Sequence, residues 1–291
     1  MFGVPRSRGI IPIGHISPIG PIGSSLDSDA IRGLLPTIRC IGREILVLEE
    51  TTSTNDVATQ LGRAGVGEGS VVFAERQTTG RGRLGRKWES AACKGLWFSL
   101  LLRPAFALAD WSRLTTWAAV GIAHGLEEAL PGCHAAIKWP NDIYLGGKKA
   151  VGILSECVAG PNGFAVVGIG VNVNHAREDF PEELLTRATS LREMAGPDAA
   201  PLDRPAVAAA LLRQLDALYP ALECDFASIV SEAQSRSLLM GQRITVHGLQ
   251  ETYEAIAQSL ESDGSLRVRC ANGETRNVSG GEVSIRLSYG Q

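Results

Sequence analysis

Short apolar runs of strand length alternate along the chain with segments whose apolar residues recur at helical spacing. Residues 44–48 (EILVL), 70–76 (SVVFAER) and 95–102 (GLWFSLLL) are runs of the first kind, bounded by turn residues, and predict three strands. From Asp110 the positions Leu114, Trp117, Gly121, Ile122, Leu126 and Ala129 recur at threes and fours as far as Pro131 and Gly132, which predicts a helix capped by Asp110. A shorter helix is expected over 56–61. Further strands are expected at 135–139, 150–158 and 164–173, with a turn at 160–163 between the last two, and helices from 203–205 to about Ser237. Beyond Ser237 the texture changes to alternating runs at 243–247, 252–259, 266–270, 274–278 and 283–287. Asp263-Gly264 and Asn272-Gly273 between them read as two-residue type I′ hairpin turns, in which both residues take positive φ. The first pattern is a mixed α/β domain around a central sheet, and the second suits a small β-barrel.

Length fits this division, since 291 residues at roughly 150 per domain is about two domains. Hydrophobic residues at 44% and charged residues at 20% describe a globular chain, and no apolar run nears the roughly 20 residues that span a bilayer. Six scattered cysteines without metal spacing suit reduced thiols and a cytoplasmic setting. Residues 1–24 mix Ile with Pro and Gly, which interrupt any secretory core, and predict a flexible leader or a mis-assigned translation start. The expected organisation is therefore a leader over 1–36, a mixed domain over 37–236 and a β unit over 237–291. Net charge is −3, against a protein held on nucleic acid by bulk charge, and the three segments carry 3, 20 and 5 cations against 2, 23 and 6 anions. Against that background residues 76–87 (RQTTGRGRLGRK) hold five cations, no anion and three glycines.

Arginine forks match carboxylate and phosphate, and interspersed glycines let backbone approach a ligand, so this segment reads as an anion-binding loop; a solvated basic turn or an RNA-binding patch has the same composition. It is no P-loop, because GxxxxGK[ST] is absent. At 138–142, KWPND leaves a strand and is followed by two glycines and two lysines; Asn141 and Asp142 suit either a turn cap or a site for metal-bridged phosphate and a carboxylate substrate. Residues 167–174 (VGIGVNVN) put two glycines in an apolar strand, which marks close approach of a ligand or a bulge. Residues 50–56 (ETTSTND) read first as a helix N-cap box. No GxSxG elbow or HExxH motif occurs, and the five histidines fall at unrelated places.

Taken in order, Ser53-Thr54-Asn55, Gln77 with GRGRLGRKW at 80–88, KWPND at 138–142, Lys149 with Gly152-Ile153-Leu154, and GIGVN at 168–172 resemble the biotin protein ligases over about residues 40–287. The resemblance implies an α+β fold: a mixed-sheet catalytic domain like that of class II aminoacyl-tRNA synthetases over 37–236, and a C-terminal SH3-like β-barrel over 237–291. It implies ATP, Mg²⁺ and biotin, and two reactions. Biotin and ATP give biotinyl-5′-adenylate and pyrophosphate, and the acyl group then passes to a lysine of a biotin carboxyl carrier domain of a biotin-dependent carboxylase. By match to the family's motifs, Ser53, Thr54, Asn55, Gln77, Arg81, Gly82, Arg83 and Lys149 would hold biotin. Arg83, Arg86, Trp88, Asn141 and Asn172 would surround ATP. Asp142 would bind Mg²⁺ or take the proton of the incoming lysine, and Arg83, Lys149 and Asp142 would be the catalytic set. Many bacterial members carry an N-terminal winged helix-turn-helix; about 36 residues are too few for one, so no sequence-specific DNA binding is expected. A free edge strand would admit a homodimer. The alternatives are a lipoate or octanoate ligase on the same fold and a non-enzymatic RNA-binding protein.

Overall fold

The computed structural model describes residues 25–35, 37–248 and 251–285; most of the expected leader (1–24) and the end of the last expected strand lie outside them. The helices are α1 (Ser28–Gly33), α2 (Thr54–Arg63), α3 (Arg113–Ala129), α4 (Leu191–Ala195), α5 (Arg204–Leu218), α6 (Ala221–Cys224) and α7 (Phe226–Ser235). Strands β1 (Glu44–Thr51), β2 (Ser70–Gln77), β3 (Gly95–Leu102), β4 (Ala135–Lys138), β5 (Asp142–Leu145), β6 (Lys148–Val158) and β7 (Phe164–Asn172) form one mixed sheet in the order β1-β2-β3-β7-β6-β5-β4. Only β1 and β2 pair in parallel.

Alternate residues of a strand face opposite ways, and the two faces of this sheet are built differently. Val71, Phe73, Phe98, Leu100, Val151, Ile153, Val167 and Ile169 join the main core with α3, α5 and α7. On the other face, Ala58 of α2 packs with Val72, Leu101, Phe164 and Val166, which closes only part of it. The rest of that face, over β3, β7 and β6, carries Ser99, Gly168, Gly170 and Gly152.

β8 (Arg243–His247), β9 (Thr252–Leu260), β10 (Leu266–Cys270), β11 (Thr275–Val278) and β12 (Glu282–Ile285) make the second, antiparallel sheet, ordered β11-β10-β9-β8-β12, of the SH3-like kind. Trp139 fastens it to the first sheet: the indole is buried among Leu239, Ile244 and Val268, and its Nε1 donates to the Gly264 carbonyl at 3.0 Å.

Several expectations are corrected. Residues 25–35, expected to be leader, include α1, which buries Ile31, and Leu26 ahead of it donates its N–H to Glu75 at 2.7 Å; six residues are too few for a helical period to show in sequence. Asp110 does not cap α3, which starts at Arg113; it closes a 3₁₀ turn and pairs with Arg113 at 3.1 Å. Asp142, expected at a bend, opens β5. Gly264 and Gly273 have φ of 85°, but Asp263 and Asn272 do not take positive φ, so the turns are not type I′. Their side chains instead accept from Ser265 N–H at 2.8 Å and Glu274 N–H at 3.0 Å, an Asx arrangement that settles the turn before the glycine.

Asp216 on α5 ties the entry of the chain to the core. Its carboxylate, 6% exposed, accepts the backbone N–H groups of Arg39, Cys40 and Ile41 at 2.7 to 2.8 Å. Asp216→Ala leaves three donors without their acceptor and is expected to cost about 3 kcal/mol of stability, read from the urea midpoint. A loss below about 0.5 kcal/mol would show that these bonds are replaced by water.

Candidate active site

All thirteen residues marked out from the sequence line a single cavity of about 420 Å³ over the open part of the first sheet. Its floor exists because three strand positions lack side chains. Gly152 and Gly170 lie opposite each other on β6 and β7, and a Cβ on either would come within 2.6 Å of the Trp88 ring. A Cβ on Gly168 would come within 2.2 Å of Asn55 Oδ1. β7 pairs on both sides without a register shift, so its glycines mark close approach and not a bulge.

The arginine segment is a small hairpin that folds back on this floor. Gly82 N–H donates to Arg86 O at 2.7 Å, Trp88 N–H to Gly80 O at 2.9 Å, and Leu84 at the tip has φ of 56° and is exposed. Each arginine meets acceptors from elsewhere in the fold. Arg81 pairs with Asp56 of α2 at 2.8 Å and Glu156 of β6 at 3.2 Å. Arg83 donates to Asn141 Oδ1 at 3.2 Å and Gly281 O at 3.0 Å, and burial pushes its guanidinium below the ordinary arginine range. Arg86 forms a two-pronged pair with Glu282 of β12 at 2.7 and 2.5 Å, which holds that carboxyl below its usual value. The loop thus sets its three arginines against partners from the rest of the fold, with Arg83 partly buried and Arg81 and Arg86 still exposed.

Opposite it, Lys149 Nζ lies 2.7 Å from Asp142 and 5.2 Å from the Trp88 ring centre, a cation–π arrangement. Asn141 is pinned to β6, donating to Ile153 O at 2.9 Å while its own carbonyl accepts Ile153 N–H at 2.9 Å. Burial lowers the Lys138 ammonium and pushes the Tyr144 hydroxyl up to about 12, and the ammonium sits 5.8 Å over that ring. Asn172 is buried and donates to Thr189 O at 3.0 Å.

The third wall is polar and buried. Ser53 occupies the N-cap of α2 but makes no side-chain cap bond, so the cap-box reading of this segment fails and its hydroxyl is left to the cavity. Thr54 N–H donates to Gln77 Oε1 at 2.8 Å, and Gln77 Nε2 to Ser90 Oγ at 3.1 Å. Asn55 Oδ1 accepts from Ser99 at 2.6 Å, and its Nδ2 donates to Glu156 at 2.6 Å.

Sequence reasoning placed Asp56 only in a helix cap and passed over Ser99, Glu156, Glu282 and His175, which no motif announces. His175 is buried in an aromatic stack, 5.2 Å from Phe180 and 5.8 Å from Trp97, and burial pulls its pKa from 6.5 to about 4, with Asp179 acting against that. No group of three or more His, Cys, Asp or Glu among the described residues could hold a metal. A Mg²⁺ bound largely through ATP phosphates needs only one or two carboxylates, and Asp142 fits that lesser demand.

Comparison with known proteins agrees with this geometry. Residues 47–174 match the model of the biotin/lipoate A/B protein ligase family, and residues 239–286 that of the biotin protein ligase C-terminal domain. The chain is 36% identical over 236 residues to the bifunctional ligase/repressor BirA of Bacillus subtilis, covering 80% of this chain and 71% of that one. It is 35% identical over 266 residues to the biotin–[acetyl-CoA-carboxylase] ligase of Mycobacterium tuberculosis, covering 89% and 95%. Among solved structures, the Aquifex aeolicus biotin protein ligase in complex with biotin and ATP superposes with a TM-score of 0.70 at 32% identity, covering 84% of this chain and all of that one.

Two measurements check this account of the site. Gly170→Ala drives a methyl group into the Trp88 seat, so it should red-shift the emission of that indole, read against the same change in a Trp88→Phe background, and cost about 1–3 kcal/mol. An unshifted spectrum with unchanged stability would mean the floor has slack. His175 stays neutral in the fold while the unfolded chain takes up a proton below pH 6.5, so stability from this group is complete above 6.5 and falls as pH drops toward 4. By about pH 5 the loss should be roughly 2 kcal/mol, and His175→Gln should lack that part of the slope between about pH 7.5 and 5. Equal slopes in the two proteins would mean His175 titrates normally.

Proposed function

The chain belongs to the biotin/lipoate A/B protein ligase family, and we propose that it is an ATP-dependent biotin protein ligase. The observation that carries the reading is the arginine loop lining a cavity, with three arginines engaged by carboxylates and carbonyls that a substrate carboxylate and phosphates can replace. The match of residues 239–286 to the biotin protein ligase C-terminal domain favours biotin over lipoate or octanoate.

In the first reaction the biotin carboxylate oxygen attacks the α-phosphorus of ATP and pyrophosphate leaves. Two anions must meet while charge builds on the phosphoryl oxygens, and fixed cations aimed at that charge are the largest source of rate. Arg83, already partly desolvated, is suited to the attacking carboxylate and the α-phosphate together. Arg86 and Lys149 are suited to the flanking oxygens, with Trp88, Asn141 and Asn172 around the nucleotide. Ser53, Thr54, Asn55, Gln77, Arg81 and Gly82 form the wall for the biotin ring. Mg²⁺ brought by ATP would supply neutralising charge to the leaving phosphates, with Asp142 as its protein ligand in the alternative to the base role below. The hairpin carrying Arg81 and Arg83 covers the cavity and would keep water from the mixed anhydride.

In the second reaction the neutral lysine amine of a carrier domain attacks the acyl carbon, an amide forms and AMP leaves with the anhydride oxygen. Asp142 would accept the proton that the amine gives up. The structure engages one of its oxygens with Lys149, so that role falls to the other. We place the catalytic unit at 37–236 and the SH3-like unit at 237–291, with a biotin carboxyl carrier domain of a carboxylase as acceptor. No helix among the described residues is long and apolar enough to cross a bilayer.

The test measures the half-reactions separately. Wild type should catalyse biotin-dependent exchange between ATP and pyrophosphate and should biotinylate a carrier domain. Asp142→Asn should form adenylate at a near-normal rate but transfer about a hundredfold more slowly if the carboxylate is the base. Equal loss of both half-reactions would assign Asp142 to adenylation alone. Exchange driven by lipoate or octanoate and not by biotin would overturn the biotin assignment.

A further inference from the structure

Glu156 belongs to none of the motifs that mark the site, yet it touches two side chains of the polar wall. Its Oε2 accepts from Asn55 Nδ2 at 2.6 Å, and its two oxygens lie 3.4 and 3.2 Å from Arg81 Nη2. We propose that Glu156 is a positioning residue that fixes the direction of a hydrogen-bond chain through Asn55, Ser99 and Thr54, so that the wall offers acceptors to the ureido N–H groups of biotin. This deepens the biotin ligase reading and rests on it.

The argument is a count of hydrogens. A carboxylate paired with arginine accepts only, so the Asn55 amide must turn its nitrogen to Glu156 and its oxygen to Ser99. Asn55 is 4% exposed, and its Oδ1 is pressed so near Gly168 that a methyl group there would lie at 2.2 Å. Ser99 Oγ is 2.6 Å from Asn55 Oδ1 and 2.7 Å from Thr54 Oγ1, with one hydrogen to give. Asn55 Oδ1 has none, so Ser99 donates to it and accepts from Thr54. That uses the Thr54 hydrogen on the shorter contact and spares the 3.2 Å contact to Gln77 Oε1. Thr54 Oγ1 and Gln77 Oε1 then keep lone pairs for the cavity. Two N–H donors of a cyclic urea are the complement of such a wall. With Glu156 removed, only the longer contact from Asn55 Nδ2 to Leu154 O at 3.4 Å opposes turning the amide over, and the turned amide sends the chain the other way and sets hydrogens against hydrogens.

The experiment is pyrophosphate exchange with biotin, and with an analogue in which oxygen replaces one ureido N–H, for wild type, Glu156→Leu, Glu156→Gln and Ser99→Ala. Glu156→Leu should raise KM for biotin about tenfold or more, leave KM for ATP within about twofold, and narrow the preference for biotin over the analogue. Glu156→Gln, whose amide oxygen still accepts from Asn55, should recover most of the biotin KM. Ser99→Ala breaks the chain at another link and should reproduce the biotin-specific rise, which keeps the test open if Glu156→Leu folds poorly. Unchanged KM and preference in Glu156→Leu would overturn the proposal. So would parallel rises for biotin and ATP, or a Gln variant as impaired as Leu. A wild type without biotin-dependent exchange would overturn the ligase reading along with it, and is told apart because there every variant is equally silent.

Discussion

A β-sheet face carries a side chain at every second residue, and a ligand can lie flat on it only where that rule is interrupted. Here it is interrupted at Gly152, Gly168 and Gly170, and the remaining contacts of the site follow. The bare strip lets the Trp88 ring settle across β6 and β7, which anchors the return leg of the arginine hairpin. Lys149 lies over that ring and so comes to Asp142. The same strip admits Asn55 deeply enough to reach both Ser99 and Glu156. A methyl group at any of the three positions would meet one of these side chains below 3 Å, too close for atoms that have little room to retreat.

The second constraint is electrostatic. Three arginines within six residues repel each other, and the fold answers with carboxylates from three separate elements, Asp56, Glu156 and Glu282. Arg81 and Arg86 are 39% and 66% exposed in these pairs, so each contributes little to stability and can be exchanged for a ligand anion at small cost. Arg83 differs. It is the most buried of the three and its hydrogen bonds end on the neutral partners Asn141 and Gly281, with the carboxylates of Asp142 and Glu282 near but unbonded to it, so an anion can reach its guanidinium without displacing an ion pair.

Much of this was legible in the chain, for identifiable reasons. Long apolar strands announce themselves, and residues 95–102 and 243–247 were bounded to the residue. The arginine segment stood out because five cations without an anion contrast with an acidic background. Glu156 and Glu282 were invisible because an acidic residue on a strand has no local signature; Glu156 matters through partners 75 and 101 residues away, and Glu282 through one 196 residues away. The caps were misjudged for a related reason. Asp110 and Ser53 have the right chemistry at about the right place, but an ion pair claims one and the cavity wall the other. At Asp263 and Asn272, Asx bonding to the following backbone outweighed the two-residue turn that the dipeptides favour.

Trp139 shows why the two sheets work as one site. Its neighbours Asn141 and Asp142 face the cavity, while its own ring is buried in the second sheet and its nitrogen is held by the Gly264 carbonyl. The bend after β4 therefore fixes two things at once, the direction of the polar pair and the position of the SH3-like unit. That unit in turn supplies Gly281 O to Arg83 and Glu282 to Arg86. The arginine hairpin thus rests on the glycine floor at one end and on the second sheet at the other, and shifting either moves the charges relative to Lys149 and Asn141. A site that must bring two anions together tolerates little such movement, because the attraction that offsets their repulsion falls with every added ångström. The buried tryptophan between the sheets, itself part of the cavity wall, therefore bears on the chemistry through the charges it positions.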